Sequence, residues 1–134
     1  MPVSSTYERS ERLKSAKIIG SLFREGNSFA AYPLRVVWAP TQAGPAGRAT
    51  MAVSVSKKRF KTAVARNRVK RLMREAYRLH KHLLYEQLEA RNEHLSIMIS
   101  YIGQEILTYK EVEKGVLKML RKLEESHQQK QSNS

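Results

Sequence analysis

Cysteine and aspartate are both absent from this 134-residue chain. Without cysteine there is no disulfide and no thiolate metal site. Without aspartate, all 12 acidic residues are glutamate, and they are scattered along the chain. Metal-dependent nucleases hold their ions with clustered carboxylates, so an autonomous two-metal nuclease is disfavoured. Aromatic residues are only 7% of the chain, with a single tryptophan, Trp38. No apolar run approaches the roughly 18–20 residues of a membrane span. The start, Met1-Pro2-Val3-Ser4-Ser5-Thr6, lacks the apolar stretch of a secretion signal. The expectation is a cytoplasmic protein with no membrane partner.

Positive charge is what the chain has in excess. The formal net charge is +13 and the pI about 10.3. Residues 57–81 contain eleven of the 25 Lys and Arg residues and one acid, Glu75, so this segment alone carries +10. Ordinary solvated surfaces mix both signs. An acid-poor block fits a polyanion such as RNA, because neutralised phosphates release condensed counterions and give strong, salt-sensitive binding.

The length fits one domain with a modest core. Residues 1–9 read as a flexible N-terminus, 10–125 as a single RNA-binding domain and 126–134 as a disordered tail. Ser15 fits a helix cap, followed by an apolar face of Ile18, Ile19, Leu22 and Phe23 that stops at Gly26-Asn27. Residues 34–39 and 50–56 alternate as strands, and the turn-rich loop 40–47 between them predicts an antiparallel pair. Thr62 is positioned to cap a long helix with an apolar face of Ala65, Val69, Leu72, Ala76, Leu79, Leu83 and Leu88. Arg66, Lys70 and Arg74 lie at i, i+4, i+8 on another face, with Asn67, Arg71 and Arg78 beside them. Like charges at that spacing destabilise a helix slightly, so a polyanionic partner explains them better than stability does. Leu95, Ile97, Ile99 and Tyr101 alternate as a further strand. Thr108 and Glu111 form a capping box ahead of a last helix carrying Val112, Val116, Met119, Leu120 and Leu123. The order helix, strand, strand, helix, strand, helix predicts an α+β two-layer sandwich with helices mainly on one face of the sheet.

The run Val53-Ser54-Val55-Ser56-Lys57-Lys58, followed by Ala63-Val64-Ala65-Arg66-Asn67-Arg68-Val69-Lys70-Arg71-Leu72-Met73-Arg74, closely resembles the bacterial ribonuclease P protein subunit. The Arg66-Asn67-Arg68 core with Lys70, Arg71 and Arg74 resembles that family's signature, and the likeness extends roughly from Arg12 to Leu123. The resemblance implies a ribosomal-protein-like fold with a mixed sheet and a left-handed β-α-β crossover, where pattern reasoning alone gives a right-handed one. It implies a protein cofactor of a ribonucleoprotein endonuclease that removes the 5′ leader of precursor tRNA. Catalytic groups and magnesium ions would then lie in the RNA, with no cofactor or metal on this chain. By analogy Lys57, Lys58, Arg66, Asn67, Arg68, Lys70, Arg71 and Arg74 face the ribonuclease P RNA. Ile19, Phe23 and Val37 fall where the family lines its cleft for the leader.

The chain departs from the family at several of these positions. Ile19 and Val37 replace frequent aromatics, which leaves Trp38 as an alternative stacking ring. The segment Ser100-Tyr101-Ile102-Gly103 lacks the base that the family commonly places there. Spacing alone fits Ile19 and Phe23 to a core as well as to a cleft, and Trp38 reads first as a core anchor. His80 and His82, two apart on a helix, point to different faces, which argues against a histidine-pair ribonuclease or a zinc site. The competing function is a ribosomal or architectural RNA-binding protein without a processing role.

Overall fold

The computed structural model describes residues 26–40 and 49–132, with side chains through residue 125. The helix expected after Ser15, with Ile19 and Phe23, and most of the loop after Pro40 lie outside the described residues. The elements in chain order are β1 (Asn27–Ala31), β2 (Leu34–Pro40), β3 (Ala49–Val55), α1 (Ala63–Arg91), β4 (Leu95–Tyr101) and α2 (Tyr109–Ser132).

The four strands form one mixed sheet in the order β1-β2-β4-β3. β1 pairs antiparallel with β2, and β2 antiparallel with β4. β3 pairs parallel with β4, with Met51 opposite Ile97 and Val53 opposite Ile99. Parallel neighbours need a crossover of a dozen residues or more, and α1 with 29 supplies it. The expected antiparallel pairing of β2 with β3 is therefore wrong, because β4 lies between them. β1, which the helix–stop reading at Gly26-Asn27 passed over, occupies the other edge of β2. β4 suits the centre, since it is buried on both faces over almost its whole length.

One sheet face and the two helices enclose the main core. β2 contributes Leu34, Val36 and Trp38; β4 contributes Ile97, Ile99 and Tyr101. Val69, Met73, Ala76, Tyr77, Leu84 and Leu88 of α1 meet them, as do Val112, Val116, Met119, Leu120 and Leu123 of α2. Trp38 is fully buried here, so the core reading holds and the ring does not face the opposite side of the sheet. That opposite face carries Val37 and Met98, with Ala39 and Ala52 packed against them.

The apolar stripe of α1 needs a correction. Leu79 and Leu83 are 40% and 44% exposed, while Tyr77, Lys81 and Tyr85 point inward. Tyrosine and lysine have apolar bodies with polar ends, so a pattern that counts only aliphatic residues misplaces the face. Lys81 is 1% exposed, with its ammonium 5.5 Å from the Tyr85 ring centre, and drops out of the solvent-facing cations.

Both caps expected among the described residues are present, while Ser15 lies outside them. Thr62 Oγ1 accepts from Ala65 N–H at 3.1 Å. Thr108 N–H donates to Glu111 Oε2 at 3.0 Å, and Glu111 N–H to Thr108 Oγ1 at 3.3 Å. Helical backbone in α2 continues to Ser132, past the boundary that composition placed at residue 125. In the second turn of α2, Gly115 lies on the β1–β2 turn. A Cβ there would stand 2.8 Å from Pro33 Cδ and 3.0 Å from the Tyr32 carbonyl oxygen. Replacing glycine by alanine inside a helix ordinarily stabilises by about 1 kcal/mol. Gly115→Ala should instead destabilise, by about 1–3 kcal/mol, since backbone and a proline ring cannot swing aside. Thermal melting reads the sign.

Candidate nucleic-acid interface

The end of β3, a tight turn and the first turns of α1 form one cationic surface. Ser56 organises the turn: its carbonyl accepts from Arg59 N–H at 3.2 Å and Phe60 N–H at 3.1 Å, and its Oγ from Lys58 N–H at 3.1 Å. Phe60 then plugs into the core, its ring centre 5.8 Å from that of Tyr101. Anchoring by Phe60 leaves Lys57, Lys58, Arg59 and Lys61 exposed around it. The first turn of α1 contains no acid. Its unsatisfied N–H groups and helix dipole add to the attraction for phosphate.

The sequence-selected residues divide by role. Lys57, Lys58, Asn67, Arg68, Arg71 and Arg74 are exposed, and Lys70 is half-buried. Arg66 is half-buried and braces the turn, its Nη1 donating to Phe60 O at 2.8 Å and Lys61 O at 3.0 Å. Arg78 forks onto Glu75, with Nη2 to Oε1 at 2.5 Å and Nε to Oε2 at 3.3 Å. That hydrogen bond holds the Glu75 carboxyl below its ordinary pKa and Arg78 above its own. The one acid of the basic segment is thus engaged by Arg78, beyond the Arg66–Arg74 stretch.

Arg59 is the residue that sequence reasoning missed. Its Nη1 donates to Ile102 O at 2.8 Å, tying the turn to the end of β4. The position where Ser100-Tyr101-Ile102-Gly103 lacks a base therefore receives one from the turn after β3. The available signal was its place directly after Lys57-Lys58.

Tyr101 supports this corner from below. Its hydroxyl donates to Glu105 O at 2.6 Å and accepts from Leu107 N–H at 3.1 Å. Burial raises its pKa, partly opposed by the Leu107 hydrogen bond. A phenol with a raised folded pKa keeps its proton better folded than unfolded, so stability falls as pH rises through the ordinary tyrosine value toward the folded one. Melting temperatures of the wild type should drop across that range, and Tyr101→Phe should flatten the drop. An equal decline in both proteins would contradict it.

His80 and His82 face apart. His80 Nε2 lies 3.0 Å from Glu113 Oε2, linking α1 to α2, and His82 is exposed. This contact holds the Glu113 carboxyl below its ordinary pKa. Among the described residues, no group of three or more His or Glu side chains is placed to hold a metal ion. Among them also, no helix is long and apolar enough to cross a membrane. Val37 is buried on the sheet face opposite α1 and α2; Ile19 and Phe23 lie outside the described residues.

Known proteins share this sequence pattern and fold. The family model described as Ribonuclease P matches residues 7–124. The ribonuclease P protein component of Porphyromonas gingivalis is 44% identical over 119 residues, which cover 89% of this chain and 87% of that protein. The Chlorobium phaeobacteroides protein of the same name is 36% identical over 107 residues, covering 74% and 73%. In structure, the RNase P protein of Thermotoga maritima superposes with a TM-score of 0.67 at 20% identity, covering 83% of this chain and 96% of that one. The Staphylococcus aureus RNase P protein gives 0.66 at 22% identity, covering 84% and 94%. These two establish the shared α+β fold, and with the family match and the two relatives they lead to one conclusion: this chain belongs to the ribonuclease P protein family and serves as the protein subunit of ribonuclease P in tRNA processing.

Proposed function

We propose that the cationic corner at the start of α1 binds the ribonuclease P RNA, and that the opposite sheet face receives the 5′ leader of precursor tRNA. The observation that carries the first part is the acid-free set Lys57, Lys58, Arg68, Arg71 and Arg74, exposed around a helix N-terminus. Arg66 holds the turn in place, and Asn67 adds an exposed amide that both donates and accepts. The second part rests on Val37 and on the small side chains around it. By register Ser28, Val37 and Met98 face one way with Ala52, and Ala30, Arg35, Ser100 and Ser54 form a parallel row. Apart from Met98 and Arg35 these side chains are short, which leaves room for a strand of nucleic acid to approach. Ile19 and Phe23 complete this cleft in our reading, through their likeness to the family.

In this mechanism the chain contributes electrostatics and positioning. Its cations offset the repulsion between two polyanions, which lowers the magnesium needed to hold them together. Bond cleavage belongs to the RNA and its magnesium ions. The glutamates are scattered along the sequence and His80 with Glu113 links α1 to α2, which supports that division. The reading places the particle in the cytoplasm.

Precursor-tRNA cleavage at low magnesium tests it, with protein alone, ribonuclease P RNA alone, and both. Cleavage by the pair only is the expected result. Activity in the protein alone would overturn the assignment of catalysis to RNA.

A further inference from the structure

The second helix carries a cationic face of its own. Lys110, Lys114, Lys118 and Arg121 are all exposed. Spacings of three and four residues place them on one side of α2, over about 16 Å at 1.5 Å per residue. Among the described residues none of the four makes an ion pair or a hydrogen bond; Lys110 acts on Glu113 through space alone. Four acids border that side, of which Glu113 is engaged by His80 and Glu124 is half-buried. Glu111 has one oxygen taken by the Thr108 cap, and Glu125 stands at the far end. As in α1, clustered like charges cost helix stability and call for an external reason.

An exposed aromatic lies beside this face. Tyr32, in the β1–β2 turn, is 62% exposed, the most exposed aromatic side chain among the described residues. Its position is fixed: the Tyr32 carbonyl and the Pro33 ring pack on Gly115, and Pro33 O accepts from Ile102 N–H at 2.8 Å. Lys118 lies one turn from Gly115 along the same flank of the helix. Further on, Lys122 donates to Ala30 O at 2.8 Å and fastens the hairpin to the helix. An exposed ring on an anchored turn, with exposed cations on the helix that the turn packs against, suits single-stranded nucleic acid: bases stack on a ring and cations follow the phosphates.

We propose that Tyr32 with Lys114, Lys118 and Arg121 forms a second RNA-binding surface, separate from the corner at the start of α1, that takes a single-stranded RNA segment. The proposal rests on the RNA-binding reading above. The segment belongs either to the ribonuclease P RNA or to the precursor tRNA, and the experiment separates the two.

The full-length protein carries Tyr32→Ala, Tyr32→Phe or the double change Lys114→Glu and Lys118→Glu, with Arg68→Glu as reference. Affinity is measured across a salt series in two arms: free ribonuclease P RNA, and precursor tRNA added to the assembled ribonucleoprotein. Tyr32→Ala should lose about tenfold in one arm with an unchanged salt slope, and Tyr32→Phe should restore it. The double reversal should lose tenfold or more in that same arm and lower the slope by about 1.4, as two single-strand phosphate contacts require. Circular dichroism confirms that each variant is folded, and Tyr32→Leu with Lys114→Gln and Lys118→Gln replaces any that is not. If Arg68→Glu weakens binding and the α2 and Tyr32 variants change neither arm, this inference falls and the first site stands. If Arg68→Glu has no effect while the α2 variants do, the first site falls and this one stands. If neither set has any effect, both fall.

Discussion

Reversing the charge of Arg68 and Arg71 together should weaken binding to ribonuclease P RNA by about 100-fold near 0.15 M salt. Each exposed guanidinium that meets a phosphate contributes about 1.5 kcal/mol as a charge-assisted hydrogen bond. Two such losses amount to about 3 kcal/mol, or about two decades in affinity. The salt slope should fall by about 2, one per lost phosphate contact. Neither side chain touches the core, so melting should hardly change. Leader removal at low magnesium should fall with binding and recover when protein is raised, because the reversal leaves the catalytic groups in place. Weakened binding with an unaltered slope would mean that the two residues do not meet phosphates.

Trp38→Ala should be the most damaging single change to stability. The side chain fills the core between β2 and the helices, and truncating a buried tryptophan costs about 3–5 kcal/mol. Domains of this size are stable by about 5–15 kcal/mol, so little folded margin remains. Melting should fall by at least 10 °C, on the order of 3 °C or more per kcal/mol. Trp38→Phe separates packing from recognition. It should lower stability moderately and leave the affinity for leader-bearing precursor tRNA unchanged. Loss of leader affinity without loss of stability would make Trp38 a stacking platform and contradict its place in the core.

Local signals in the sequence were read well, and long-range ones poorly. Thr62 and the Thr108–Glu111 box are chemical marks with a fixed reach, and both cap as expected. The cationic run was legible for the same reason: Lys57, Lys58, Arg68, Arg71 and Arg74 are exposed as a charge block requires. Strand pairing was not. Nothing local in residues 34–39 or 50–56 says that a strand from Leu95 to Tyr101 will part them, and the tie from Arg59 to Ile102 exists only because it does. The five residues of β1 were hidden by Gly26-Asn27, which mark a helix end as readily as a strand start. Counting aliphatic residues put Leu79 and Leu83 in the core and left Lys81 among the free cations. Burial of a long polar side chain depends on a partner surface that one helix does not reveal.

The place of β4 also sets the order in which this molecule is completed during synthesis. The cationic turn and all of α1 leave the ribosome before Leu95, and until β4 follows, β2 and β3 have no strand between them. Leu34 pairs with Tyr101 across more than sixty residues, so the sheet closes late and at a high cost in loop entropy. A nascent chain ending before β4 displays its positive charge on an unfixed turn, with two bare strand edges beside it. Only when Ile102 emerges does Arg59 find its carbonyl, and only then does the basic segment acquire a defined shape. Recognition of RNA by geometry, as distinct from attraction by charge, is thus a property this protein gains late in its synthesis.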